Sequence, residues 1–183
     1  MQLDKNAALI VIDLQKGIVS VPTARPATEI VERAARLAHA FRERHLPVVL
    51  VNVSGLPSGR TEARPHRFSL PPDWTELVLE LNQQPGDYLV TKQRVGAFTG
   101  TSLDDYLRQH GVTQVVLAGI STSTGVESTG RSGFDLGYNV TFVVDAVTDR
   151  DADSHRHSIE KVFPRFGEIA TTEQVLALLE QRN

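Results

Sequence analysis

Ala7-Ala8-Leu9-Ile10-Val11-Ile12-Asp13-Leu14-Gln15 is an apolar run without alternation that ends on a carboxylate. A strand with one wet face alternates apolar and polar residues. A strand apolar at every position needs cover on both faces, as in a parallel sheet clothed by helices. Comparable strand candidates recur at Val48–Val53, Tyr88–Val90, Gln114–Ala118 and Val140–Val144, with a short one at Glu168–Ala170. Amphipathic segments separate them. The first predicts a helix from Ala27 to Arg44, with Pro26 near its start and Ile30, Val31, Ala34, Leu37, Ala38 and Phe41 as its apolar stripe. Ser102 precedes a helix that Gly111 would end, and Gly137 plays the same part after a helix beginning near Ser123. Asp153 or Ser154 is a candidate opener for a helix through Phe163, and Thr171 or Thr172 for the last one. Strand–helix–strand units joined by right-handed crossovers give an α/β fold. It is expected to be a doubly wound, Rossmann-like three-layer sandwich on a mainly parallel six-stranded sheet, with residues 1–183 as one domain.

Composition narrows the function. A net charge of −3 over 183 residues gives no electrostatic case for nucleic acid. No apolar run approaches the roughly 18 residues that span a bilayer. The first residues lack a signal-peptide pattern, so the cytoplasm is the expected compartment. The chain has no cysteine, which excludes disulfides, thiolate metal sites and thiol catalysis. Ser54 to Asp73, with four prolines, two glycines and four basic side chains (Arg60, Arg64, His66, Arg67), reads as a long functional loop.

Open sheets of this kind bind ligands beyond the carboxyl ends of their strands, where the strand order reverses. Three features fall on that rim: Asp13, Lys92 and the turn Gly119-Ile120-Ser121-Thr122-Ser123-Thr124-Gly125. A carboxylate there suits general acid–base work, and a neighbouring lysine helps set its protonation. Taken singly, an Asp closing a strand is often a cap and a terminal Lys is usually solvated. At matching positions of separate strands they make a site.

Four stretches, in order along the chain, resemble the isochorismatase-like hydrolases. They are Val11-Ile12-Asp13-Leu14-Gln15, then Lys92 with Ala97-Phe98-Thr99-Gly100-Thr101, next Val116 to Ile120 with Thr122, Gly125-Val126 and Thr129, and last Gly137-Tyr138 through Val143-Val144-Asp145-Ala146. The resemblance implies that Asp13 is the acid/base, Lys92 its partner, and Gly125 the residue at the nucleophile position. It further implies a non-proline cis peptide at Ile120-Ser121, and substrate contacts from Gln15, Phe98, Ile120, Ser121 and Thr124. Amidase members carry Cys where Gly125 stands, whereas isochorismatases proper carry Gly and hydrolyse a vinyl ether without a covalent step. This chain matches the second kind. The expected partners are a small-molecule carboxylate substrate and further copies of the chain, in a homodimer or a higher homo-oligomer, with no cofactor and no metal.

Several features depart from that pattern. Lys16-Gly17-Ile18 follows Gln15 where the family usually has an aromatic residue, and Val51 to Pro57 lacks the Asp/His cluster of nicotinamidase-like members. His155 and His157 are spaced i, i+2 on a polar helix, poor geometry for joint ligation, and read as solvated or capping. Arg60, Arg64, Arg67 and Arg94 are candidate carboxylate grips, with surface solvation the plainer role. Two rival readings stand beside the hydrolase. A serine hydrolase would use Ser121 with Asp145 or Asp149 and His155, but the turn fails G-x-S-x-G and leaves Asp13 and Lys92 unexplained. The other is a ligand-binding or scaffold protein with a degenerate site.

Overall fold

A computed structural model describes residues 1–62 and 71–181 of the chain. Arg64, His66 and Arg67 lie outside the described residues. Six strands form one sheet: β1 (Ala7–Ile12), β2 (Val48–Val53), β3 (Tyr88–Lys92), β4 (Gln114–Ile120), β5 (Asn139–Thr148) and β6 (Glu168–Ala170). Their order is β3-β2-β1-β4-β5-β6, and each neighbouring pair is parallel. The order reverses between β1 and β4, so the ligand crevice of a doubly wound sheet falls at their carboxyl ends.

Alternation along the strands explains why their sequences are continuously apolar. On β1, Ala7, Leu9 and Val11 join one core with α2 (Ala27–Glu43) and α6 (Thr172–Glu180), while Ala8, Ile10 and Ile12 join the other. That second core includes Leu103 and Leu107 of α3 (Leu103–Gln109) and the stacked rings of Phe142 and Phe163. Helices therefore cover both faces, and all six residues of β1 are buried. Burial of this apolar area stabilises the fold at roughly 25 cal/mol per Å².

Two further helices are short: α1 (Lys16–Val19) beside the first strand and α5 (Ala152–His157) beyond the fifth, with α4 (Glu127–Asp135) between them in the chain. Three strands run further at their carboxyl ends than the apolar pattern predicts. Val53 pairs with Lys92, Ile12 with Gly119, and Ile120 with Thr148, so polar residues near the rim remain in the ladder. Asp151, not Asp153 or Ser154, caps α5 by accepting from the Ser154 N–H at 2.7 Å. Thr171 opens α6 in a reciprocal capping box with Gln174. Gly111 and Gly137 close their helices at φ +62° and +90°. Among the described residues, no helix is long and apolar enough to cross a membrane.

Candidate active site

Asp13 follows β1 directly and sits in the left-handed region at φ +53°, a conformation that aspartate tolerates better than most residues. Its N–H donates to the Val51 carbonyl at 2.9 Å, which fixes this turn to β2. Lys92 closes β3, two strands away in the sheet. Its Nζ donates to Asp13 Oδ2 at 2.7 Å and to the Arg94 carbonyl at 3.3 Å. Both side chains are nearly sealed from solvent, with 2% and 8% of their areas exposed.

Burial pushes the Asp13 carboxyl up to about 6, against the pull of the Lys92 charge and hydrogen bond. The other oxygen, Oδ1, is buried and has no protein partner. A buried carboxylate oxygen without a donor is costly, and such groups mark functional positions. Asp13 is therefore suited to hold and release a proton near neutral pH.

The third side of the site is the turn after β4. Gly119 has φ +123°, and a Cβ there would collide with the backbone of Ile12, so β4 and β1 approach closely only because this residue is glycine. The Ile120-Ser121 peptide is cis. Thr122–Val126 then forms a π-helical turn that runs into α4, with the Ser121 carbonyl accepting from Thr124 N–H at 3.3 Å and Val126 N–H at 3.1 Å. Gly125 faces the acid: a Cβ there would lie 3.4 Å from Asp13 Oδ2 and 3.1 Å from Ile12 Cγ2. Any side chain at this position would touch the carboxylate. The Gly125 carbonyl accepts from Thr129 Oγ1 at 2.7 Å, and Thr129 Oγ1 in turn accepts from Ala97 N–H at 3.0 Å, tying the segment after Lys92 to the same helix.

The structure brings Asp13, Lys92 and Gly125 together, with Ile120 buried and Ser121 half-buried at the turn and Thr124 exposed on it. Gln15 and Phe98 have other surroundings. Gln15 is fully buried; its Nε2 donates to the Val53 and Trp74 carbonyls and its Oε1 accepts from Val53 N–H. Phe98 packs into the α3 side of the core, its ring 5.9 Å from that of Tyr138. Arg60 and Arg94 are exposed. Among the described residues, no group of three or more His, Cys, Asp or Glu is arranged to hold a metal ion.

Two arrangements escaped the sequence reading. The segment from Asp73 to Val78 is sewn beside Gln15: Lys16 Nζ donates to Asp73 and Glu76, both at 2.7 Å, Gly17 N–H donates to the Trp74 carbonyl, and Asn52 Nδ2 donates to the Thr75 carbonyl. Nothing periodic in that stretch announced it. The second corrects the reading of His155 as a solvated or capping residue. It is only 8% exposed, and its Nδ1 lies 2.8 Å from Thr122 Oγ1. Asp149, at the end of β5, accepts from both Ser123 N–H (2.7 Å) and Ser123 Oγ (2.8 Å). Asp145 instead binds Thr172 and Arg33. The partners of the rival triad's acid and base are thus Ser123 and Thr122 in place of Ser121, and no Ser121-centred triad forms. The apolar pattern ends this strand at Val144, so the place of Asp149 at its carboxyl end carried no signal in the sequence.

Fold and site define a doubly wound α/β protein with a buried acid–ammonium pair at the switch point, opposite a helix start. An isochorismatase domain model matches residues 7–174. The isochorismatase family protein YwoC of Bacillus subtilis (strain 168) is 39% identical over 179 residues, 94% of this chain and 93% of that protein. Among solved structures, an isochorismatase family protein from Burkholderia thailandensis is 41% identical, covers 98% of both chains and superposes with a TM-score of 0.93. The N-carbamoylsarcosine amidase of Thermoplasma acidophilum is 28% identical, covering 92% of this chain and 97% of its own, with a TM-score of 0.75. The chain belongs to the isochorismatase family of hydrolases.

Proposed function

We propose that this hydrolase works without a covalent intermediate, by acid-assisted hydrolysis of an enol ether on a small, isochorismate-like carboxylate. The observation that carries this reading is the contact between the Gly125 position and Asp13 Oδ2, where a Cβ would lie 3.4 Å from the acid. The reactive group at this turn is the carboxyl itself, with no nucleophilic side chain between it and the helix start. Amide hydrolysis, the activity in the name of the Thermoplasma relative, proceeds in the resembling amidases through a Cys at this position, and the chain contains none.

Protonated Asp13 gives its proton to the terminal methylene carbon of the enol ether, leaving an oxocarbenium at the ether-bearing carbon. Water adds to that carbon and its surplus proton returns to Asp13. The resulting hemiketal breaks its carbon–oxygen bond, releasing the alcohol and pyruvate. Lys92 holds the carboxylate after it has given up its proton, because opposite charges at 2.7 Å stabilise the ionised form. The helix start beside Gly125 offers partial positive charge to the substrate's carboxylate, and the ionised Asp13 faces the oxocarbenium. An acid working from about 6 keeps roughly a tenth of its molecules protonated at pH 7, enough for turnover and close to the optimum for proton transfer.

The test is incubation with isochorismate and measurement of pyruvate, with kcat/KM followed against pH. The acid role requires kcat/KM to fall as pH rises above about 6, and a base role would make it rise there. An absence of pyruvate overturns the substrate reading, and turnover that survives Asp13→Asn overturns the acid role.

A further inference from the structure

The residues that hold the Gly125 turn in place come from outside it. Thr122 and Ser123 are consecutive, and each is held by a different element. Asp149 at the end of β5 takes both the N–H and the hydroxyl of Ser123, and His155 of α5 meets the Thr122 hydroxyl at 2.8 Å. His155 Nε2 is buried without a partner. A neutral imidazole has one donor nitrogen and one acceptor nitrogen, and the Thr122 hydroxyl can complement either at Nδ1. A protonated ring has two N–H groups and a charge, and the second N–H would point into a place that offers it no acceptor.

The charges around the ring agree with a neutral state. Burial holds His155 below the usual histidine range, the Arg25 charge adds to this, and Asp149 works against it. Asp149 is already engaged by Ser123 and by the Arg150 N–H. Glu127, on the helix that continues the turn, is occupied by Ser158 Oγ and Arg131. Asp151 caps α5 through Ser154.

We propose that His155 is a positioning residue: as a neutral imidazole it fixes Thr122 and hence the turn that sets Gly125 against Asp13, and its protonation releases that turn. The proposal rests on reading Asp13 and Gly125 as the reacting pair. His155 touches neither of them and acts through Thr122.

The test has two arms on the full chain. In the first, backbone amide signals of Thr122 and Ser123 are followed by NMR from about pH 8 to about pH 5, the range in which histidine titrates. They are expected to move together with the His155 ring, at a midpoint below the ordinary histidine value, and to stay still in His155→Asn. That variant keeps an amide near the Nδ1 position and cannot titrate. In the second arm, with isochorismate as probe, His155→Leu should lower kcat about tenfold with KM changed less than about twofold, as for a lost positioning hydrogen bond. His155→Asn should keep kcat near the parent value and lose the acid-side fall in its pH profile. Amide signals that ignore the ring's titration, or a His155→Leu protein with the parent kcat, overturn the proposal. Because the first arm needs no turnover, amide signals that follow the ring without any pyruvate release would uphold the positioning role and overturn only the substrate reading.

Discussion

Strand β3 carries an ion pair at each end, half-buried at the amino end and buried at the carboxyl end, and the two are built differently. At the amino end Asp87 accepts from Arg42 Nε at 3.0 Å, Arg42 Nη2 at 2.8 Å and Gln84 N–H at 2.8 Å, so both oxygens are engaged. At the carboxyl end Asp13 shares one oxygen with Lys92 and leaves the other bare. Arginine's planar fork saturates a carboxylate, whereas lysine's single ammonium does not. A saturated carboxylate serves the fold. One left half-satisfied in a buried place has its proton affinity raised, here to about 6, and is available for chemistry.

The contrast is broken most sharply by exchanging the same atoms at both ends. Asp13→Asn should lower kcat/KM for isochorismate by about 10³-fold, within the range lost with a general acid, with the circular dichroism of the parent. Asp87→Asn should do the reverse. It should cost about 3 kcal/mol of stability, read as a fall in Tm of about 9 °C for a chain this long, while kcat/KM stays within about twofold. If Asp87→Asn proved as inactive as Asp13→Asn, the division of labour between the two pairs would be wrong.

Stability against pH sharpens the comparison further. Asp13 is raised from 3.8 to about 6 on folding, so the folded state binds the extra proton between those values. Its contribution is therefore fully present below about 3.8 and lost as pH rises through about 6, amounting to at most about 3 kcal/mol. The Tm of the parent protein minus that of Asp13→Asn should fall as pH is raised from 4 towards 7, about the interval those two values bracket. A difference that grew over this interval would show that Lys92 outweighs burial.

The smallest effect belongs to Gly125. Gly125→Ala puts a Cβ 3.1 Å from Ile12 Cγ2 and 3.4 Å from the acid, so a shift of a few tenths of an ångström is required. About 1 kcal/mol of stability should be lost by crowding, with kcat falling more than KM rises. Gly125→Cys should lose native turnover in the same way and gain little amidase activity, measured with a simple amide substrate and with iodoacetamide labelling. Vigorous amidase activity would instead mark the site as a thiol hydrolase that lost its nucleophile.

Much of this was legible in the residues. Strands that are apolar at every position can be buried only between two helical layers, which the runs at Ala7–Ile12 and Val48–Val53 display without any coordinates. Asp13 was visible as the polar end of such a strand, and Lys92 as the polar end of the run that begins at Tyr88. Local chemistry also announced Gly111 and Gly137, since helices commonly end on residues at positive φ. What stayed hidden were contacts between distant segments: His155 with Thr122, Asp149 with Ser123, and Gln15 with Val53 and Trp74. A histidine on a polar helix looks solvated until the packing of α5 on the turn removes its water. The residues alone announced the sheet, its helical cover and the polar strand ends at its rim, because periodicity and strand-end polarity are properties of neighbouring residues. Only the tertiary structure decided which oxygen of Asp13 is left bare and which imidazole is kept neutral, because burial and hydrogen-bond saturation depend on atoms that the chain brings together from far apart.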